Sequence, residues 1–289
     1  MGAVFFGALA GFLFGLLAVT VRLGLQRGGD PEVGALVIAG GGFVVTLAAA
    51  AVAGDLDDLS FDDLWAFVVM GLFVPGLSSI LFVHAIRGAG SARAAIIVGT
   101  APLISALLAI VLLDEPLRAG LVAGTVLVVG GGIALAGERV RPADFRAFGA
   151  VLALVCAVLF GIRDNVVRWA TGDGEAPLLA ATATTLCAAT AFVLVYVLVA
   201  RRTELARQLR IATRAFAGAG VALGLAYLAV IIALDRGRVT VVAPLNATQS
   251  LWTVMLAALL IGHLEMIGRR TVLAGVLVVA GAVLVSATR

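Results

Sequence analysis

Lysine is missing from this chain: all 20 basic residues are arginine. Without lysine no phosphate-cradling G-x-x-x-x-G-K-[ST] loop can be written, so the chain carries no Walker-type site for ATP-driven work. Histidine is nearly absent too. His84 and His263 are the only two, and neither has a cysteine, histidine or carboxylate at ligand spacing, so neither a metal nor any other cofactor is expected. Cysteine occurs twice, at Cys156 and Cys187, both inside apolar runs. That excludes a disulfide framework and reads as two buried, inert thiols. Charge is the scarcest commodity: 13% of the residues are charged and 62% are hydrophobic, with a mean hydropathy of +1.16. A soluble domain carries roughly twice that charge, at about 25%. So much apolar surface has no hiding place in water, and the bilayer becomes its solvent.

The remaining charges sit in the gaps between apolar runs. The net charge of +3 forms no basic stripe interleaved with aromatics, so nucleic acid is not a partner. There is no G-x-S-x-G turn, no H-E-x-x-H helix and no T-V-G-Y-G filter. An enzyme is therefore not the expectation.

A helix needs about 20 apolar residues to cross a roughly 30 Å hydrocarbon layer. Ten segments meet or approach that length: 3–25, 32–53, 64–86, 91–113, 119–137, 147–169, 178–200, 215–235, 239–262 and 271–288. The first has no basic leader or cleavage site and reads as a span, not a signal peptide. Runs such as Ala106 to Leu113 do not alternate, which argues against a β-barrel. Short hinges at Arg87-Gly88-Ala89-Gly90 and Arg236-Gly237-Arg238 divide spans three from four and eight from nine. Many of the 35 glycines fall inside spans, among them Gly124, Gly130, Gly131, Gly132, Gly275 and Gly281. Small residues in lipid allow helix backbones to approach closely.

The two halves repeat. Phe14-Gly15 with Arg22 returns as Phe160-Gly161 with Arg168, 146 residues on. Gly88 to Ser91 returns as Gly237 to Thr240, 149 residues on, and Glu115 returns as Glu265, 150 residues on. Each half ends in a glycine-rich apolar helix. The expected architecture is an all-α membrane protein of ten transmembrane helices: residues 1–137 as one five-helix repeat, a linker at 138–146, and residues 147–289 as the second repeat. Five is odd, so the second copy enters the membrane from the opposite face. Inverted repeats with a central site are the plan of secondary transporters.

The stretch from Gly99-Thr100-Ala101-Pro102-Leu103 through Asp114-Glu115-Pro116-Leu117 to Gly130-Gly131-Gly132 resembles the EamA-type repeat of the drug/metabolite transporter superfamily. The second half repeats the Glu and the last helix, but places its proline, Pro244, earlier. The resemblance covers nearly the whole chain. It implies a multi-pass protein of the cell (inner or plasma) membrane, commonly an exporter of metabolites or amino acids, with a cavity between the halves. Expected partners are a small-molecule solute and the lipid bilayer, and the sequence admits a homodimer. A passive pore or a non-transporting membrane protein is the competing reading.

Ionisable groups inside spans are functional candidates. Asp164 and Arg168 lie i,i+4 on span six beside Arg163. They read either as a coupling site, with Asp164 exchanging a proton or cation, or as an ion pair near a helix end with the arginines snorkelling to headgroups. Arg22 poses the same choice. Asn246, Gln249 and Thr253 share one face of span nine, flanked by Trp252, and read either as a solute wall or as interhelical glue. Thr100 and Ser105 face them if the repeat symmetry holds. Ser78, Ser79 and His84 on span three and Tyr227 on span eight complete the candidates. His263-Leu264-Glu265 reads as a solvated junction, and Glu115 and Glu265 read as carboxylates capping adjoining helix starts.

Ten spans put both termini on one side. Of 16 arginines outside the spans, 12 lie opposite the termini, which by the positive-inside rule places the termini outside. The family resemblance implies cytoplasmic termini instead. A cysteine replacing Leu205 decides between them. Labelling by an impermeant maleimide on intact cells fits cytoplasmic termini, and protection fits external ones.

Overall fold

The structure is a computed structural model. It describes residues 2–56, 61–104, 107–108, 119–136, 145–170, 177–200, 205–236, 242, 245–265 and 267–287, with all their side chains except those of 61–63, 121, 136, 164–165, 167–170, 234–235, 263 and 285–287. Among the described residues the regular structure is helical throughout.

The first half contains α1 (Gly2–Gln26), α2 (Pro31–Ala53), α3 (Phe61–Gly71), a π-helical turn (Leu72–Leu77), α4 (Ser78–Ala89), α5 (Ser91–Val98) and α6 (Ala119–Ala136). The second contains α7 (Ala147–Ala170), α8 (Leu178–Ala200), α9 (Leu205–Arg236), α10 (Gln249–Glu265) and α11 (Arg269–Ala287). Local signals set several ends. Asp30 caps α2, its Oδ1 accepting from the amides of Glu32 and Val33 at 3.0 and 3.1 Å, with Pro31 in the first turn. Gly54 closes the same helix with φ of 78°.

Among the described residues six helical stretches are long and apolar enough to cross a membrane: Gly2–Gln26, Pro31–Ala53, Leu64–Ala89, Leu178–Ala200, Leu205–Ala233 and Leu245–Gly262. Ser91–Ile104, Val122–Leu135 and Ala147–Arg163 are apolar but shorter. Their outer faces carry large exposed hydrophobics such as Ile133, Val195 and Leu259, the last 74% exposed. In water these would be a liability; against acyl chains they are the matching surface.

Three expectations change. Span three is interrupted: Val74 leaves the helical region (φ −138°, ψ 110°) and Pro75, which has no amide hydrogen to donate, sits in the π-helical turn. The stretch 205–214, expected as part of a loop, is the first part of the 32-residue α9. Arg207, Arg210 and Arg214 lie on one face at i, i+3 and i+7, and nothing there breaks the helix. Cys156 is buried but Cys187 lies exposed on α8, and both are free. Lipid is as apolar as a protein core, so sequence alone could not separate the two sites.

The packing follows an exchange rule. α1 packs on α9 and α10, and their counterparts α7 packs on α4 and α5. α2 packs on α9 as α8 packs on α3. The two remaining large contacts join counterparts directly, α2 with α8 and α6 with α11. Swapping the halves thus leaves these large contacts in place. One hydrophobic core, from Leu17 and Val21 through Val83 to Phe216 and Leu223, spans both halves.

Glycines act as foreseen at some crossings and not at others. A Cβ on Gly281 would lie 2.7 Å from the Gly124 carbonyl oxygen, whereas Gly132 meets nothing within 4 Å. α2 and α9 cross closely at Gly41 on Gly220, where a Cβ on Gly220 would sit 3.0 Å from the Val37 carbonyl and 3.1 Å from the Gly41 Cα. Backbone cannot swing aside as a side chain can. Gly220→Val is expected to destabilise the protein by about 1–3 kcal/mol. Gly218→Val, on an open face with nothing within 4 Å, is expected to change little. Thermal melting of both variants in detergent checks the difference.

Candidate functional site

A chamber lies between the halves. From the first half its walls are Phe14, Leu17 and Val21 of α1, Ile38 of α2, Pro75, Ser78, Ser79, Phe82 and Val83 of the interrupted third span, and Val98 of α5. From the second half come Phe160 and Arg163 of α7, Leu223 and Tyr227 of α9, and Asn246 and Gln249 at the start of the α10 span. Helical spacing explains each group: i, i+3, i+7 on α1, i, i+3 on α7, i, i+4 on α9 and i, i+3 on the α10 span. The room amounts to about 60 Å³. At ~10–15 Å³ per water centre, this holds several waters or one small solute group.

Polar groups are few and placed on an aromatic lining. Phe14 and Tyr227 meet edge to face, centroids 6.0 Å apart, across the boundary between the halves. The Arg163 guanidinium lies over the Phe160 ring at 5.1 Å, which holds a cation in an otherwise apolar wall. The described lining includes no carboxylate. The Oδ1 of Asn246 is buried without a hydrogen-bond partner. A buried amide oxygen of that kind calls for a donor, and in a chamber wall a bound molecule or water supplies it. The repeat shows in the walls: Phe14 and Phe160 are equivalent, and so are Leu17 and Arg163 at the same 146-residue offset. The two sides differ in polarity there, and differ again at Val98 and Asn246.

Two helix breaks flank the chamber and are copies of each other. In the first half the Thr100 amide and hydroxyl both donate to the Ile97 carbonyl, at 3.0 and 2.7 Å, and the Leu103 amide donates to the Thr100 carbonyl at 3.0 Å. In the second half the Thr248 amide and hydroxyl donate to Leu245 at 3.2 and 2.5 Å, and the Leu251 amide donates to Thr248 at 2.9 Å. Tight i→i+3 turns inside long helices are hinge-like features. Two residues before each threonine a chamber residue is presented, Val98 and Asn246. The differing positions of Pro102 and Pro244 had left open whether the two spans bend alike. A threonine stands at the same place in both breaks, with Pro102 two residues past the first.

The candidate residues divide as follows. Asn246, Gln249, Ser78, Ser79, Tyr227 and Arg163 line the chamber. Thr253 does not: it is fully buried and its hydroxyl bonds the Gln249 carbonyl one turn back at 2.7 Å. Trp252 turns to α1, edge-on to Phe12 at 5.4 Å, over Gly15, where a Cβ would come within 2.8 Å of the Trp252 Cβ. Thr100 is spent on its own turn, and His84 is not in the lining. Ser105 and Glu115 lie outside the described residues, as do the side chains of Asp164, Arg168 and His263. The residues that sequence reading missed are the apolar walls, above all Phe14, Phe82 and Phe160. The paired Phe-Gly steps of the repeat were the signal that marked two of them.

Arg22 requires a correction. It does not snorkel: it is 2% exposed, its Nε 3.5 Å from Oε1 of Glu265, which is fully buried. Glu265 is not at a solvated junction either. Its carboxylate accepts from the Ser91 amide at 2.7 Å, the Ser91 hydroxyl at 2.9 Å and the Ala92 amide at 3.3 Å. The expected capping role is what the structure shows, delivered to α5 from 174 residues away.

These features define a helical membrane protein with a small, partly polar chamber between two related halves. The model of the EamA-like transporter family matches residues 1–136 and 147–287, and the chain belongs to that family. No curated protein matches. Sixteen chains of solved structures do. One of them, described only as "Crystal structure of protein", aligns with a TM-score of 0.66 at 21% identity over 98% of this chain and 94% of its own, and shares the fold.

Proposed function

We propose that this protein is a secondary active transporter that exports a small metabolite or amino acid across the plasma membrane. Its ten spans form two inverted five-helix halves, and transport proceeds by rocking one half against the other around the chamber. The observation that carries this reading is the placement of the two matched helix breaks, at Thr100 and Thr248, on the two sides of one partly polar chamber. Broken helices are tolerated in lipid only where protein or a cavity covers them, and transporter sites are built from them.

The lining favours an amphipathic solute. Phe14, Phe82, Phe160 and Tyr227 offer flat apolar surface, while Asn246, Gln249, Ser78 and Ser79 offer hydrogen bonds. Arg163 offers a positive charge, so an acidic group on the solute fits there. A proton or solute gradient is the driving force, with Asp164, next to Arg163, as the coupling group.

Gln249→Ala is expected to weaken solute binding by about 0.5–1.5 kcal/mol, the net worth of one hydrogen bond. In proteoliposomes this appears as a roughly two- to tenfold rise in half-saturation, with membrane insertion unchanged. Arg163→Gln is expected to abolish any preference for anionic over neutral solutes. Thr253→Val, which alters no chamber wall, is expected to transport normally. Saturable uptake with counterflow supports the reading; an unsaturable leak replaces it with a pore.

A further inference from the structure

Exposed arginines gather at one end of the molecule, and contacts between helices place them there. Gly24 near the end of α1 and Gly34 near the start of α2 both close on the Phe216 ring of α9. Arg27, in the turn between α1 and α2, therefore shares an end with the first turns of α9, which carry Arg207, Arg210 and Arg214. Glu265, the last residue of α10, meets Arg22 at 3.5 Å, and α11 opens just beyond it on Arg269 and Arg270. The Nη1 of Arg22 donates to the Arg87 carbonyl at 3.4 Å, and the Arg146 amide donates to the Gly88 carbonyl at 2.7 Å. Apart from Arg22, all these arginines are exposed. At the opposite end, beside Gly2, Arg236 stands over the Phe6 ring at 5.0 Å.

The carboxylates described at this end do not balance that charge. Glu265 is fully buried and bound to α5 and Arg22, Asp30 caps α2, and Glu32 is half-buried. Among the described residues Arg210 and Arg214 have no ion-pair partner. Length fixes their depth. α9 has 32 residues, about 48 Å at 1.5 Å per residue, against a hydrocarbon layer of roughly 30 Å. Ala215 to Leu234 carries no charge, and those 20 residues match that layer. Arg214 then falls at its edge and Arg210 about 6 Å farther out. The headgroup layer is roughly 5–8 Å thick on each side, so both guanidinium groups belong to it, with Arg207 one turn beyond on the same face.

We propose that this end of the protein is a docking surface for anionic phospholipid headgroups, centred on Arg210 and Arg214 of α9. Guanidinium groups stay charged and grip phosphate oxygens in pairs, which suits them to a phosphodiester. A zwitterionic headgroup carries its own ammonium beside the phosphate and gains less from the same arginines. Each basic residue near an anionic surface is worth roughly fivefold in affinity. Arg27, Arg87, Arg146 and Arg269, spread over separate elements of the same end, extend the positive field around that centre. The anchored helix also carries Leu223 and Tyr227, so the lipid holds one wall of the chamber from its outer end.

The test needs no solute and is independent of the transport reading. The full-length protein in neutral detergent is melted with increasing phosphatidylglycerol or phosphatidylcholine. Phosphatidylglycerol is expected to raise Tm several degrees further than phosphatidylcholine at the same mole fraction. The Arg210→Gln/Arg214→Gln variant is expected to lose most of that difference, since two such arginines together are worth roughly twentyfold in affinity. Arg236→Gln, at the other end, is expected to keep it. Equal stabilisation by the two lipids overturns the proposal, as does a difference that survives in the double variant or vanishes in Arg236→Gln. Inorganic phosphate and glycerophosphoglycerol are titrated alongside. A shift from either that equals the phosphatidylglycerol shift assigns the arginines to a soluble anion and overturns the lipid surface. Should the double variant not fold, the parent protein in about 1 M salt decides, where the Debye length is roughly 3 Å. The preference for phosphatidylglycerol is expected to collapse there, and a preference unmoved by salt overturns the proposal.

Discussion

In hydrocarbon every backbone amide and carbonyl must find its partner within the protein, and that constraint decides where this chain is free to depart from the helix. It departs at few described places inside its spans. Four have a local substitute for the missing helical bonds, and a fifth, at Ile261 within α10 (φ −139°, ψ 25°), is buried by the protein. At Thr100 and Thr248 the side-chain hydroxyl and a tight i→i+3 turn take over. At Gly90 the carboxylate of Glu265 receives the two amides at the start of α5. At Pro75 the π-helical turn absorbs the lost donor. Pro75 and the residues presented by the two threonine turns are chamber walls. Irregular backbone has been gathered where protein covers it.

The chamber follows from the same economy. Where helices break they cannot pack in continuous ridges, and a gap opens between halves that are otherwise tightly crossed at small residues. The gap is lined by rings because the Phe-Gly step places a large side chain one position before a glycine that lets the neighbouring helix close in. Phe14 faces the chamber while Gly15 admits α10. Polar groups enter singly, each on a different helix. The two sides differ where Arg163 stands in place of Leu17 and where Asn246 stands in place of Val98.

The charge cluster shows why burial alone does not predict a role. Arg22, Arg93 and Glu265 are among the most buried residues of the protein, at 2%, 3% and 0% exposure. An isolated charge in such a place would be forbidden. Here the charges are answered through backbone as much as through the ion pair, although the Nε atoms of Arg22 and Arg93 make no hydrogen bond. Contacts of this kind are long-range in sequence and short-range in space, with 174 residues between Ser91 and Glu265.

The helical membrane class, the division at the Gly88–Ser91 hinge and the doubled motifs were legible from residues alone. Each depends on local pattern: run length against hydrocarbon thickness, glycine against helix, and like spacing against like. The Asn246–Gln249 face was legible too, because amides in an apolar helix are conspicuous. Which polar residues face the chamber was not. Thr253 and Gln249 sit on the same helical stripe, yet one side chain turns to its own backbone and the other to the cavity, a choice made by the approach of α1. Arg22 read as a headgroup anchor because its sequence neighbours end a span. Only the folded chain brings Glu265 to it, since a charge's partner in three dimensions leaves no mark on the residues beside it. Lipid blurs the remaining distinction: with an apolar solvent outside and an apolar core inside, hydropathy tells a span from a loop but not Cys156 from Cys187, and helix packing alone sets the inward face.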